Sequence, residues 1–84
     1  MSHRLLLYSR VDCCLCDEMK TVIRRVAERT PIEVEEIDID SSADLKRKYG
    51  EEVPVLFING RKAFKHQVTA RQLAARLRST WFRS

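Results

Sequence analysis

The chain has 84 residues, with 16 Lys+Arg against 12 Asp+Glu for a net charge of +4, and it holds three cysteines, two glycines and two prolines. That length leaves room for one domain, 1–84, with an economical core burying about 60–65 % of the unfolded surface. The 44 % hydrophobic share excludes disorder, collagen-like structure and low complexity, and no apolar run approaches the about 20 residues that a membrane span needs.

Residues 4–8 (Arg-Leu-Leu-Leu-Tyr) form a short continuous apolar run and read as a central strand buried on both faces. From Leu15 the period changes, and Leu15, Met19, Val22, Ile23 and Val26 share one helical face. Asp12 is the expected N-cap of that helix. Thr30-Pro31 marks its end, because the residue before proline avoids the helical region. Residues 32–37 begin with strict alternation, as in a half-buried outer strand; the phase then slips at Ile37 and Ile39, which predicts a bend. Ser41 and Ser42 can cap a short helix that Gly50 ends at Tyr49. Residues 53–58 are a second strongly apolar strand. Asn59-Gly60 is a hairpin turn signal leading to a short strand near 61–65. Thr69-Ala70-Arg71-Gln72 fits a capping box, followed by Ala70, Leu73, Ala74, Leu77 and Trp81 on one helical face. The order is β-α-β-α-β-β-α. A right-handed crossover makes the first two strands parallel, and the Asn-Gly turn makes the last two antiparallel. The fold class is therefore α/β, a mixed four-stranded sheet flanked by helices, with the first and third strands at its centre.

The cysteines sit where the first strand gives way to the first helix. Three are too few for a disulfide scaffold, and in a reducing compartment such thiols are more often catalytic or metal-binding. The start of the chain has too short an apolar stretch for a secretory signal, so a cytoplasmic location is the expectation. Cys13 and Cys16 form a C-x-x-C pair at a helix N-terminus, where unpaired N–H groups and the partial positive charge favour an anion. Such thiols fall from about 8.5 to about 3.5–7.5 in pKa. Cys13, earlier in the turn, is the expected nucleophile, and Cys16 can reach back to resolve a mixed disulfide. Two other readings stand beside this one. The cysteines could be small core residues, or they could belong to a metal or iron–sulfur carrier, although neither His3 nor His66 has the spacing of a ligand. Cys14 reads as an exposed bystander. Arg10 can favour the Cys13 thiolate, whereas Asp12, Asp17 and Glu18 oppose a second anion. The basic residues elsewhere are spread along the chain without a nucleic-acid-binding signature, so they read as solvated faces and no nucleic-acid or membrane partner is expected.

The stretch Leu-Leu-Tyr-Ser-Arg-x-x-Cys-x-x-Cys (6–16), then Val-Pro-x-Leu-Phe-Ile-Asn-Gly (53–60), resembles the glutaredoxin-like branch of the thioredoxin fold. The Cys-x-Leu-Cys form resembles small bacterial glutaredoxin-like proteins in particular. The resemblance implies sheet order 2-1-3-4 and thiol–disulfide exchange. It makes Cys13 the nucleophile, Cys16 the resolving thiol, Pro54 a cis-proline and Val53 the residue whose backbone pairs with substrate. Arg10 stands where glutaredoxins carry a lysine near the thiolate and the glycine carboxylate of glutathione, and Thr69 could offer a helix start to a carboxylate. The implied partners are a disulfide-containing protein or glutathione as substrate and a reductase or glutathione as electron donor. No resident cofactor is expected, and nothing demands more than a monomer. The sequence departs from glutaredoxins at Cys14-Leu15 between the cysteines, at Glu52 before Val-Pro, and at 65–69, which lack the Gly-Gly and acidic residue.

Overall fold

Two apolar strands, β1 (His3–Ser9) and β3 (Val55–Ile58), run antiparallel at the centre of a four-stranded sheet. The parallel strand β2 (Ile32–Asp38) flanks β1, and the antiparallel strand β4 (Arg61–Lys65) flanks β3, so the order is β2-β1-β3-β4. The helices are α1 (Cys14–Ala27), α2 (Ala43–Tyr49) and α3 (Ala70–Trp81). This computed structural model describes residues 2–81, with side chains through Ser79. The expected place of the Trp81 side chain on the α3 face lies outside the described residues. No helix among them is long and apolar enough to cross a membrane.

Period-2 alternation sorts the sheet residues onto two faces. Leu5, Leu7, Leu56 and Ile58 point to one side, where α1 brings Met19, Ile23 and Val26 and α3 brings Leu73 and Leu77. Tyr8, Val55 and Phe57 point to the other side and pack with Ile39, Leu45 and Tyr49 around α2. The Tyr8 and Tyr49 rings stack at 4.5 Å, and Phe57 meets Tyr8 edge-on at 5.6 Å. Because α2 is short, Leu6 and Tyr8 are only half buried. β1 is thus fully buried on one face rather than both.

The local signals mostly act as expected. Ser42 caps α2 by accepting from Leu45 N–H. In the capping box of α3, Gln72 N–H donates to Thr69 Oγ1 at 3.1 Å and Thr69 N–H donates to Gln72 Oε1 at 3.0 Å. Asn59 (φ 50°) and Gly60 (φ 87°) both take positive φ, the geometry a tight hairpin demands. Gly50 follows α2 as expected, but glycine is required there for space and not for a left-handed backbone. Its φ of −53° is ordinary, but a Cβ there would stand 2.5 Å from the Lys46 carbonyl oxygen.

Four further expectations need correction. Asp12 has φ 61°, which excludes the extended geometry of an N-cap, and the cap of α1 is Cys13. α1 ends at Ala27, ahead of Thr30, whose N–H turns back onto the Val26 carbonyl. β3 starts at Val55, two residues late, because Val53 N–H is taken by the Tyr49 carbonyl at the end of α2. In β2, Ile32 packs on the core but Val34 is 53 % exposed, since it lies on an edge strand that α1 does not cover. The predicted bend is real: the chain leaves β2 through a 3-10 turn, Ile39–Ser41, that swings Ile39 into the α2-side core.

Candidate active site

β1 delivers the chain to the cysteines. After Ser9 it leaves the sheet, passes Asp12 in the left-handed region, and returns to extended geometry at Cys13 (φ −111°, ψ 109°). Cys13 Sγ accepts the Cys16 N–H at 3.2 Å, so the sulfur does the work that an Asp or Ser oxygen does in other helices. Cys16 is 1 % exposed, on the buried side of the first turn of α1, and Cys13 is half buried. Their Cα atoms are 5.2 Å apart and their sulfurs are paired in a disulfide. Cys14 is a free, exposed thiol. The structure thus places one sulfur at a helix start that favours an anion, one buried within its reach and one facing water.

Register places the other expected site residues. Tyr8 pairs with Val55 and Val55 with Lys65, so the start of β3 and the end of β4 share the rim from which the chain runs on to Cys13. The Val53–Pro54 peptide on that rim is cis, as the resemblance implies. Pro54 is buried, and its carbonyl accepts the His66 N–H at 2.8 Å. The Val53 backbone is not wholly open to a substrate, because its N–H already donates to the Tyr49 carbonyl at 3.1 Å. Arg10 lies on the same rim but engages Asp40, at 3.3 and 3.4 Å, so its charge is shared with a carboxylate. Thr69 is committed at both its N–H and its hydroxyl to Gln72. It lines a groove of about 630 Å³ between α1 and the β4–α3 loop, together with Leu15, Glu18, His66 and Gln67.

Two features escape a linear reading. The buried Ser9 hydroxyl donates to Glu36 Oε2 at 2.7 Å, and Lys20 of α1 reaches the same oxygen at 3.0 Å. Ser9's hydroxyl, and after it Lys20, hold the Glu36 carboxyl below its usual range, and that bond to Glu36 raises Lys20. One carboxylate thus ties the strand before the cysteine turn to the helix after it. The second feature is Glu52, whose carboxylate meets Lys62 at 2.6 Å and Lys65 at 3.8 Å. Lys62's bond lowers the Glu52 pKa, and the contact fastens the loop before Pro54 to β4. Each partner is ten or more residues away, and only the register brings the pairs together.

For the metal-carrier reading, no group of three or more His, Cys, Asp or Glu able to hold an ion occurs among the described residues. His3 sits at the opposite end of β1 from the cysteines. Cys13 and Cys16 supply two of the four thiolates that an iron–sulfur cluster takes, so a cluster there would need further ligands from outside the pair.

Comparison with known proteins agrees with this geometry. The model of the Glutaredoxin-like domain (DUF836) matches residues 4–78. The chain is similar to the X-ray structure of protein XcR50 from X. campestris, with 33 % identity over 89 % of this chain and 96 % of that one and a TM-score of 0.74. It is similar to protein Ne2328 from Nitrosomonas europaea, with 30 % identity, 88 % and 89 % coverage and a TM-score of 0.75. Desulfothioredoxin from Desulfovibrio vulgaris Hildenborough, in its reduced form, aligns at 25 % identity over 94 % of this chain and 82 % of its own, with a TM-score of 0.70.

Proposed function

We propose, for a chain that belongs to the glutaredoxin-like domain family, that it is a thiol–disulfide oxidoreductase working through Cys13 and Cys16. The observation that carries this reading is the Cys13 sulfur capping α1 with Cys16 buried one turn below it. In the reduced protein the helix start favours the Cys13 thiolate. That thiolate attacks one sulfur of a substrate disulfide. The substrate S–S bond breaks, a mixed disulfide forms on Cys13, and the departing substrate thiolate takes up a proton. Cys16 then gives up its proton and attacks the Cys13 sulfur, releasing the second substrate thiol. Two electrons have passed to the substrate, and the protein is left in the Cys13–Cys16 disulfide state. Reduced glutathione or a reductase dithiol returns it to the start. The rim formed by Val53 and Pro54 holds the substrate during the exchange.

The substrates are protein disulfides or glutathione mixed disulfides. The departures at Glu52 and at 65–69 weigh toward protein, because the Thr69 groups that would meet a glutathione carboxylate are already paired with Gln72. A reducing cytoplasm suits an exposed free thiol at Cys14, which elsewhere would scramble the pair. The deciding experiment replaces each cysteine in turn. Cys13→Ser abolishes reduction of a protein disulfide, and Cys16→Ser accumulates a mixed disulfide on Cys13 that mass spectrometry detects. Undiminished turnover by Cys13→Ser refutes the assignment.

A further inference from the structure

The net charge, undirected in the composition, acquires a direction once the chain folds. Residues 53–84 contain seven Lys or Arg and no Asp or Glu, so every acidic residue precedes Val53. Its described part, 53–81, builds β3, the β4 edge of the sheet and α3. Arg61, Lys62, Lys65, His66, Arg71 and Arg76 are all exposed on it. They occupy both faces of β4: Lys62 and Lys65 meet Glu52 on the α2 side, and the Arg76 guanidinium lies 5.4 Å over the Phe64 ring on the α3 side. The opposite edge of the sheet, β2, carries Glu33, Glu35, Glu36 and Asp38.

The basic wall reaches the redox site. Lys65 pairs with Val55 on the cysteine rim, and the His66 N–H donates to the Pro54 carbonyl. A substrate crossing Cys13 therefore meets Lys65 and Arg71 on the β4 and α3 side, with Glu18 of α1 facing them across the groove, and on the β2 side it meets Asp38 and Asp40, the latter shared with Arg10 and Lys46. We infer that the substrate of this dithiol is a protein disulfide flanked by acidic residues, seated with its acidic side against β4 and the first turn of α3. This inference rests on the oxidoreductase reading above and names its substrate class. A field of one sign beside a reactive centre raises association rates by about 10- to 1,000-fold and orients the incoming chain. Salt removes the effect beyond about 10 Å at 0.1 M ionic strength. Glu52 neutralises part of the wall through Lys62 and Lys65, so the wall's selectivity can be raised as well as lowered.

The test compares two disulfide peptides that differ only in Glu or Gln residues beside the cystine. Their single-turnover reduction by the reduced full-length protein is followed at about 0.01 M and about 1 M salt. The Glu peptide is expected to react about tenfold faster at low salt, with the two rates converging at high salt. The pair Lys65→Glu and Arg71→Glu erases the preference. Glu52→Gln widens it, a gain that misfolding cannot produce, and Arg25→Glu in the last turn of α1 leaves it unchanged. Equal rates at low salt, or a preference that survives the Lys65 and Arg71 reversals, overturn the inference. Self-association at low salt without a peptide preference overturns it in favour of a second copy's β2 as occupant of the wall. Reduction of neither peptide is a separate result, since it removes the oxidoreductase reading itself.

Discussion

Glu36 is where a small change should have the most informative effect. In Glu36→Ala the Ser9 hydroxyl, on a residue 4 % exposed, loses the acceptor that holds it at 2.7 Å. A buried hydrogen bond to a charged acceptor contributes about 1.5–3 kcal/mol. The Lys20 contact adds little: the two side chains are 35 % and 43 % exposed, so solvent screening reduces it to about 0.5 kcal/mol, and Lys20 keeps Asp17 at 3.6 Å. Alanine should therefore cost about 2–3 kcal/mol. Glutamine keeps a neutral acceptor for Ser9 and should cost about 1 kcal/mol. In a chain of this length 1 kcal/mol moves Tm by about 4–8 °C, so the losses are about 10–20 °C for alanine and about 4–8 °C for glutamine. Urea titration resolves them and adds a pH signature. The folded-state pKa of Glu36 is depressed, so its contribution is present above the unfolded carboxyl value of 4.5 and is lost as pH falls through the folded value. The gap between wild type and Glu36→Gln should narrow in acid. Equal losses for alanine and glutamine at pH 7, or a gap indifferent to acid, would refute the view that this carboxylate ties β1 to α1.

The capping box predicts that Thr69→Ala loses about 1 kcal/mol, seen as a thermal shift of about 4–8 °C by circular dichroism, whereas Gln72→Glu stays near wild type because it keeps the reach-back acceptor. Leu56→Ala, on β3 at a position 0 % exposed in the core shared with α1 and α3, should lose about 2–5 kcal/mol in urea with its m-value unchanged. The two glycines should fail for different reasons. Gly60→Ala pays conformational strain of about 1 kcal/mol at φ 87° in open space, while Gly50→Ala is destabilised by the Lys46 carbonyl despite an allowed φ; crystal structures of the two variants would show a strained turn and a displaced helix end respectively.

Much of the architecture was legible because adjacent elements differ in period and are separated by strong local signals. Leu15 to Val26 keep a helical repeat, Asn59-Gly60 can scarcely be anything but a tight turn, and the Thr69 to Gln72 spacing names both partners of its own hydrogen bonds. The candidate site was legible in its sulfurs for the same local reason. What stayed hidden depends on neighbours distant in sequence. Alternation assigns Val34 to a face but does not say that α1 is too narrow to cover it. Asp12 has the chemistry of a cap, yet its backbone is turned left-handed by the route from Ser9 to Cys13. Arg10 finds Asp40 thirty residues on, and Ser9 finds Glu36 twenty-seven on, through a parallel register that no local pattern records.

The sulfur that caps α1 has a consequence for how this position can vary. Helix initiation there accepts Ser, Thr, Asp or Asn, none of which can form a disulfide, and the exchange chemistry proposed above accepts only a thiol. Cysteine is the one side chain that meets both demands. Replacements therefore divide the two roles: serine keeps the start of the helix and loses the chemistry, whereas alanine loses both together. A difference in stability between these two variants measures what a side-chain acceptor at this position contributes as architecture, apart from any chemistry on a substrate.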